Sequence, residues 1–237
     1  MLEIKNFSKS YLKGKKAVDN VNLTIQDGEI FGFIGHNGAG KTTTIKSIVG
    51  ILKVEEGDIL INGLSIIKNP KECKKIMAYV PDNPDIYENL TGIQYLNFIS
   101  DVYKISKKDR EERIKEYADL FQLTSALGDL ISSYSHGMKQ KLVIISALIH
   151  KPKILILDEP FVGLDPVASH KVKEIMREMC NEEASIFFST HVLEVAEKLC
   201  DKVAIIKNGQ IVANGDVKDI IGDSSLEELF MELEEDE

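Results

Sequence analysis

Hydrophobic and polar positions divide this chain into stretches with different periods. Near the start, residues 2–7 (LEIKNF) and 21–26 (VNLTIQ) alternate in the manner of half-buried strands, and Asp27-Gly28 is a hairpin turn signal. A third strand is predicted at 29–34 (EIFGFI), apolar enough to be covered on both sides, and residues 41–52 follow with apolar positions at helical spacing. Short strand-like runs come next at 58–62 (DILIN) and 76–80 (IMAYV), the second closed by Pro81 and Pro84, which mark a loop. From Thr91 to about His150 the period is helical, with one charged-faced segment (KKDREERIKEYADLFQL) and another helix opening near Ser135. The continuous run 154–157 (ILIL) again reads as a buried strand, and it ends in Asp158-Glu159-Pro160. A helix at 166–180, a strand at 185–189, a helix at 192–199 and a hairpin around Asn208-Gly209 complete the pattern. The fold class is α/β, with an N-terminal antiparallel β layer and a helical insertion.

Charge changes this picture only at the end of the chain. The formal net charge is −9, but seven of the 38 acidic residues fall within 224–237, leaving 31 against 29 basic residues elsewhere. A nearly neutral body offers no basic face to a polyanion, so no nucleic-acid partner is expected. Within that acidic end Leu226, Leu229, Phe230 and Leu233 share one helical face, which predicts a docked amphipathic helix with a frayed tip. No apolar run approaches the roughly 20 residues that span a bilayer, and the opening MLEIKNFSKS lacks the order of a signal peptide, so a cytoplasmic chain is expected. Cys73, Cys180 and Cys200 are odd in number and form no CxxC pair; buried free thiols are expected.

Candidate chemistry begins at Gly35-His36-Asn37-Gly38-Ala39-Gly40-Lys41-Thr42, a full G-x-x-x-x-G-K-[ST] match set between a strand and a helix. Glycines let the backbone turn its N–H groups onto one anion, and the helix N-terminus adds its positive dipole end. Lys41 should reach the β- and γ-phosphates, Thr42 should offer its hydroxyl to Mg²⁺, and Thr43 should help hold the inner phosphates. Upstream, Tyr11 is expected in a polar, Lys-rich loop between the first two strands. Its ring either stacks on a nucleotide base or packs on the edge of the sheet.

The second half carries Ser135-His136-Gly137-Met138-Lys139-Gln140, Asp158-Glu159, Gly163-Leu164-Asp165-Pro166 and Ser189-Thr190-His191, in that order. Together with the phosphate loop, these segments resemble the ATP-binding cassette family of ATPases over essentially the whole chain. The resemblance implies a P-loop NTPase core of that type at 1–85 and 152–223, a helical subdomain carrying the signature segment at 86–151, and an acidic C-terminal helix at 224–237. It implies that Tyr11 stacks on adenine, that Asp158 holds Mg²⁺ through its water shell, and that Glu159 is the catalytic glutamate. It also makes Asp165 the loop aspartate that links paired sites and His191 the switch histidine that senses the γ-phosphate. Such roles suit the residue types, because a hard cation takes oxygen ligands and in-line attack on phosphorus takes a carboxylate that orients water.

Ser135 and Gly137 open a helix, and in the family that segment meets the γ-phosphate held by a second cassette. Tyr134, His136 and Met138 depart from the family's usual Leu-Ser-Gly-Gly-Gln, and Asp82 stands where a metal-contacting glutamine is common. The implied protein is the ATP-hydrolysing subunit of a membrane transporter, of export or drug-resistance type. It would work with ATP and Mg²⁺, pair with a second cassette and sit on a separate multi-spanning permease at the inner face of the cell membrane. A soluble cassette ATPase acting on ribosomes or DNA is the alternative. Such relatives carry two cassettes or a long coiled coil, however, and the 94 positions between Lys41 and Ser135 leave room only for a compact helical lobe. A nucleotide-gated module with little hydrolysis is the third reading. The loop 82–90 (DNPDIYENL) offers Ile86, Tyr87 and Leu90 as contacts for the permease.

Overall fold

The structure is a computed structural model that describes residues 1–12 and 15–235. Two sheets carry it. The first pairs β1 (Leu2–Leu12) with β2 (Lys15–Ile25) and β4 (Glu56–Ile61), and adds the short β5 (Leu64–Ser65), in the antiparallel order β2-β1-β4-β5. The second is built from β3 (Ile30–Ile34), β6 (Met77–Val80), β7 (Ile154–Asp158), β8 (Ser185–Thr190), β9 (Lys202–Lys207) and β10 (Gln210–Asp216). Its order is β10-β9-β3-β8-β7-β6, parallel throughout except for the β9–β10 hairpin.

Period two along the central strands sorts their side chains between two cores. Phe31, Phe33, Ile154, Ile156, Phe187, Ala204 and Ile206 face a core shared with the antiparallel sheet and with α1 (Lys41–Ile48). The intervening residues, among them Ile34, Leu155, Leu157, Ile186, Phe188 and Ile205, face a core filled by helices. Those helices include α5 (His136–Leu148), α6 (Pro166–Asn181) and α7 (Leu193–Leu199). Because both faces are covered, β3, β7 and β8 are buried at every position, which is why their sequences run apolar instead of alternating.

The 86–151 stretch supplies α3 (Gly92–Val102), α4 (Lys107–Leu120) and α5. Thr91 and Gln94 close a capping box on α3, and Ser106 and Ser135 cap α4 and α5 through their hydroxyls. After β10 come α8 (Val217–Ile221) and the acidic α9 (Leu226–Glu235), whose Leu226 and Phe230 are buried against the helical core. The amphipathic helix is therefore docked as expected, and its expected frayed tip at 236–237 lies outside the described residues.

Three sequence expectations are corrected. Asp27-Gly28 does not turn a hairpin: β2 and β3 lie in different sheets, and the turn carries the chain from one to the other. Tyr11 is not in a loop but near the end of β1, which runs on past residue 7 through a series of bulges. Ile86 and Leu90 fold back onto the helical core, leaving only Tyr87 of the three exposed, edge-on to the ring of Phe98. The element α2 (Pro70–Ile76) was not anticipated, being short, polar and opened by a proline. Cys73, Cys180 and Cys200 are free and buried, as expected.

Candidate functional site

At the carboxyl ends of the parallel strands a cleft of about 190 Å³ is lined by His36, Asn37, Gly38, Gly40, Lys41, Thr42 and Thr43, with Asp82, Asp158 and Glu159 facing them. Ala17 of β2 also lines it, a contribution that nothing in the sequence signalled. A larger groove of about 420 Å³ lies at the opposite, amino end of the sheet, beside Lys153 and Ala184. Size does not decide between them, since only the smaller cleft gathers a lysine, a glycine-rich loop and three carboxylates at strand ends, where α/β sheets place ligands.

Local geometry explains the loop. Gly40 has φ +116°, and a Cβ there would meet the carbonyl of Ala17 at 2.7 Å, so no other residue fits. Gly35 and Ala39 are buried beneath the loop and do not line the cleft. Lys41 Nζ donates to the carbonyls of Gly35 at 2.5 Å and His36 at 3.1 Å, and lies 3.8 Å from Glu159 Oε1. Burial lowers the Lys41 pKa, against the pull of Glu159 and Asp158 in the other direction. The ammonium is thus held by weak neutral acceptors and is ready to exchange them for an anion.

Asp158 ends β7 and is 1% exposed. Its Oδ1 accepts from the Ser189 hydroxyl at 2.5 Å, while its Oδ2 is buried without a protein partner. Burial raises its pKa; the Ser189 hydrogen bond and the nearby Thr42 hydroxyl lower it, and the negative charges of Asp82 and Glu159 raise it further. A buried carboxylate with an empty oxygen, beside a hydroxyl and two more carboxylates, is poorly stabilised alone and suits a hard cation. Glu159 takes a left-handed backbone with φ +48°, sustained by its N–H, which donates to the Ser189 carbonyl and hydroxyl. That backbone aims its carboxylate into the cleft, where Oε2 meets His191 Nδ1 at 3.0 Å and the buried Oε1 makes no hydrogen bond. His191 is not the cap of α7; Val192 holds that position.

Other predicted residues stand outside the cleft. Tyr11 is 59% exposed at its rim, with its hydroxyl 3.1 Å from Thr43 Oγ1. Ser135 and His136 are exposed at the start of α5, and a Cβ on Gly137 would meet the Gly163 carbonyl at 2.8 Å. Asp165 caps α6 through the Ala168 N–H and pairs with Lys141 of α5 at 2.7 Å. The signature segment and the Asp165 loop are therefore packed on each other, apart from their own chain's phosphate loop. Ser189 was part of a recognised segment but received no role; a hydroxyl inside a fully buried strand was the signal.

The ABC transporter family model matches residues 18–162, from the strand that contributes Ala17 to the loop after Glu159. The chain belongs to the ABC transporter family. It is an ATP-binding subunit of that family, an ATPase of the single-cassette kind. Among its relatives, the ABC-type transporter ATP-binding protein EcsA of Bacillus subtilis (strain 168) is 34% identical over 238 residues, which cover 98% of this chain and 96% of EcsA. The linearmycin resistance ATP-binding protein LnrL of the same organism is 34% identical over 220 residues, 93% of this chain and 70% of LnrL. A solved ATP-binding subunit of an ABC transporter superposes with a TM-score of 0.94 at 37% identity, covering 99% of both chains. Within this cassette no group of three or more His, Cys, Asp or Glu among the described residues could hold a metal by itself.

Proposed function

We propose that this cassette hydrolyses Mg²⁺-ATP with Glu159 as the carboxylate that orients the attacking water, while Lys41 and the loop from Gly35 to Thr43 hold the phosphates. The observation that carries the reading is the pair of buried carboxylate oxygens without a hydrogen bond, Asp158 Oδ2 and Glu159 Oε1, in a single cleft with Lys41, Thr42 and Thr43. Thr42 and Asp158 are the oxygen donors for Mg²⁺, directly or through its waters, with Asp82 nearby as a further acceptor; the ion would neutralise the phosphate charge. His191 holds Glu159 in place and would meet the γ-phosphate, and Tyr11 stacks on the adenine at the rim.

Ser135 and Gly137 act on the nucleotide of a second cassette, with Asp165 linking the two sites. The support is that this helix start is exposed and directed to its own chain's Gly163, not to its own cleft. No helix among the described residues is long and apolar enough to cross a membrane. We assign the coupling surface to Tyr87 and Phe98, beside the loop that carries Asp82, and the partner to a separate permease at the inner face of the membrane. The transport reading is of export or drug-resistance type, supported by similarity to a protein named for linearmycin resistance.

The test of the chemistry is Glu159→Gln. The amide fills the same space but takes up no proton, so turnover should fall by about 10²–10⁴ while ATP binding persists, and chromatography with ATP should show a trapped dimer. Hydrolysis at the wild-type rate would remove Glu159 from the catalytic role.

A further inference from the structure

The acidic helix α9 lies beyond the region matched by the family model, yet it touches the nucleotide cleft. Phe230 meets the ring of His36 edge-on, with centroids 4.9 Å apart and planes at 63°. His36 is the second residue of the phosphate loop, and its carbonyl is one of the two that hold Lys41. The same helix is tied down at two other places. Lys207, at the end of β9, donates to the Leu233 carbonyl at 2.9 Å. The Leu226 N–H donates to Glu197 Oε2 at 2.8 Å, and Glu197 lies on α7, which starts two residues after His191. Leu226 is fully buried and Phe230 is 8% exposed, so the docking is a packed contact.

These contacts place one helix across two parts of the proposed site, the loop assigned to phosphate and the helix that follows His191. We propose that α9 is a clamp on the nucleotide site and that Phe230 is a positioning residue for the phosphate loop, an inference that rests on the nucleotide reading of the cleft. A loop held in place before the ligand arrives loses less freedom on binding it. Phe230 contributes to that hold through its edge-on contact with His36 at the rim of the cleft. The coupling is necessarily reciprocal: if docked α9 favours nucleotide, nucleotide favours docked α9.

The experiment is a double-mutant cycle on the full chain with MgADP and MgATP binding as readouts, using Phe230→Ala, His36→Ala and the double variant. Phe230→Ala should weaken both nucleotides by roughly threefold to tenfold, the range expected for one aromatic contact, and leave turnover at saturating ATP within about twofold. Phe230→Tyr should bind as wild type. In the double variant the loss should be smaller than the product of the two single losses, because the Phe230–His36 contact is removed in both. Truncating Phe230 could undock α9 altogether, so His36→Ala, which removes the same contact and leaves the anchors at Glu197 and Lys207, provides the independent arm. Hydrogen exchange should slow over 226–235 when MgATP binds wild type, and not when it binds either single variant. The clamp is overturned if both single variants bind like wild type, if binding tightens, if the two losses multiply in the double variant, or if nucleotide leaves the exchange of α9 unchanged. Lys41→Ala, run alongside, separates the two claims: undiminished binding in that variant would overturn the reading of the cleft itself.

Discussion

The phosphate cleft and the signature segment are built on opposite principles. Three chemical groups of the cleft, Lys41, Asp158 and Glu159, are fixed by their own chain. Lys41 is held by loop carbonyls, Asp158 by Ser189, and Glu159 by its left-handed backbone and by His191. Buried carboxylate oxygens without a hydrogen bond remain where a phosphate and a cation would sit, at Asp158 Oδ2 and Glu159 Oε1. The signature segment is the reverse. Its backbone is anchored, through the Ser135 cap and the close approach of Gly137 to Gly163, but Ser135 and His136 stand exposed and do not line the phosphate cleft. One region is thus preorganised to bind, and the other is presented to be used. On the proposed reading, binding belongs to one chain and hydrolysis to two.

That contrast can be broken at the cleft first. Lys41→Ala removes charge-assisted hydrogen bonds worth about 1.5–3 kcal/mol each, so titration with a fluorescent ATP analogue should show affinity at least about tenfold weaker. Equal affinity would mean that the cleft does not bind through its lysine. Ser189→Ala comes next. It strips the buried Asp158 of its remaining side-chain donor from β8, and an unsatisfied buried group costs about 1–3 kcal/mol, so thermal unfolding should move down by several degrees. An unchanged melting point would mean that Asp158 is solvated and not held by Ser189. The smallest effect is expected on the signature side. Asp165 is half exposed and Lys141 is 17% exposed, so water screens the pair from one side, and Lys141→Ala should change stability by no more than about 1 kcal/mol in denaturant titration, leaving ATP affinity untouched. A larger loss would show the signature side to be as tightly built as the cleft.

The same contrast decides what was legible in the sequence. The strand before the phosphate loop and the strand before Asp158-Glu159 are runs buried on both faces, so composition alone marked their extent and their polar ends marked the site. The glycine pattern located the loop because backbone geometry demands it at Gly40. Ser189 was read without its role because a hydroxyl in a strand finds its partner on a neighbouring strand, a matter of register that only the paired β7 and β8 reveal. Asp27-Gly28 misled because a turn signal is local, whereas the choice of sheet for the next strand is made by packing. Tyr11 was misplaced for a related reason: the Lys-rich end of β1 hides a strand that continues by bulging. The short elements α2, β5 and α8 span too few residues for a period to register. The contact of Phe230 with His36 joins residues far apart in sequence, and the helical face of α9 foretold docking without its target.

The central claim, that a binding-competent cleft needs the signature segment of another chain to hydrolyse ATP, is tested most directly by mixing two inactive variants. Lys41→Ala has a disabled cleft and an intact signature segment. Ser135→Glu has an intact cleft, places an anion at the helix N-terminus where the dipole tolerates it, and repels an incoming γ-phosphate. Each variant alone should lack turnover, with Ser135→Glu still binding ATP as wild type does. Their mixture should recover activity, because one of the two composite sites in a mixed dimer then combines an intact cleft with an intact signature segment. Full turnover by Ser135→Glu alone, or a mixture as inactive as its components while both chains still dimerise, would contradict the account.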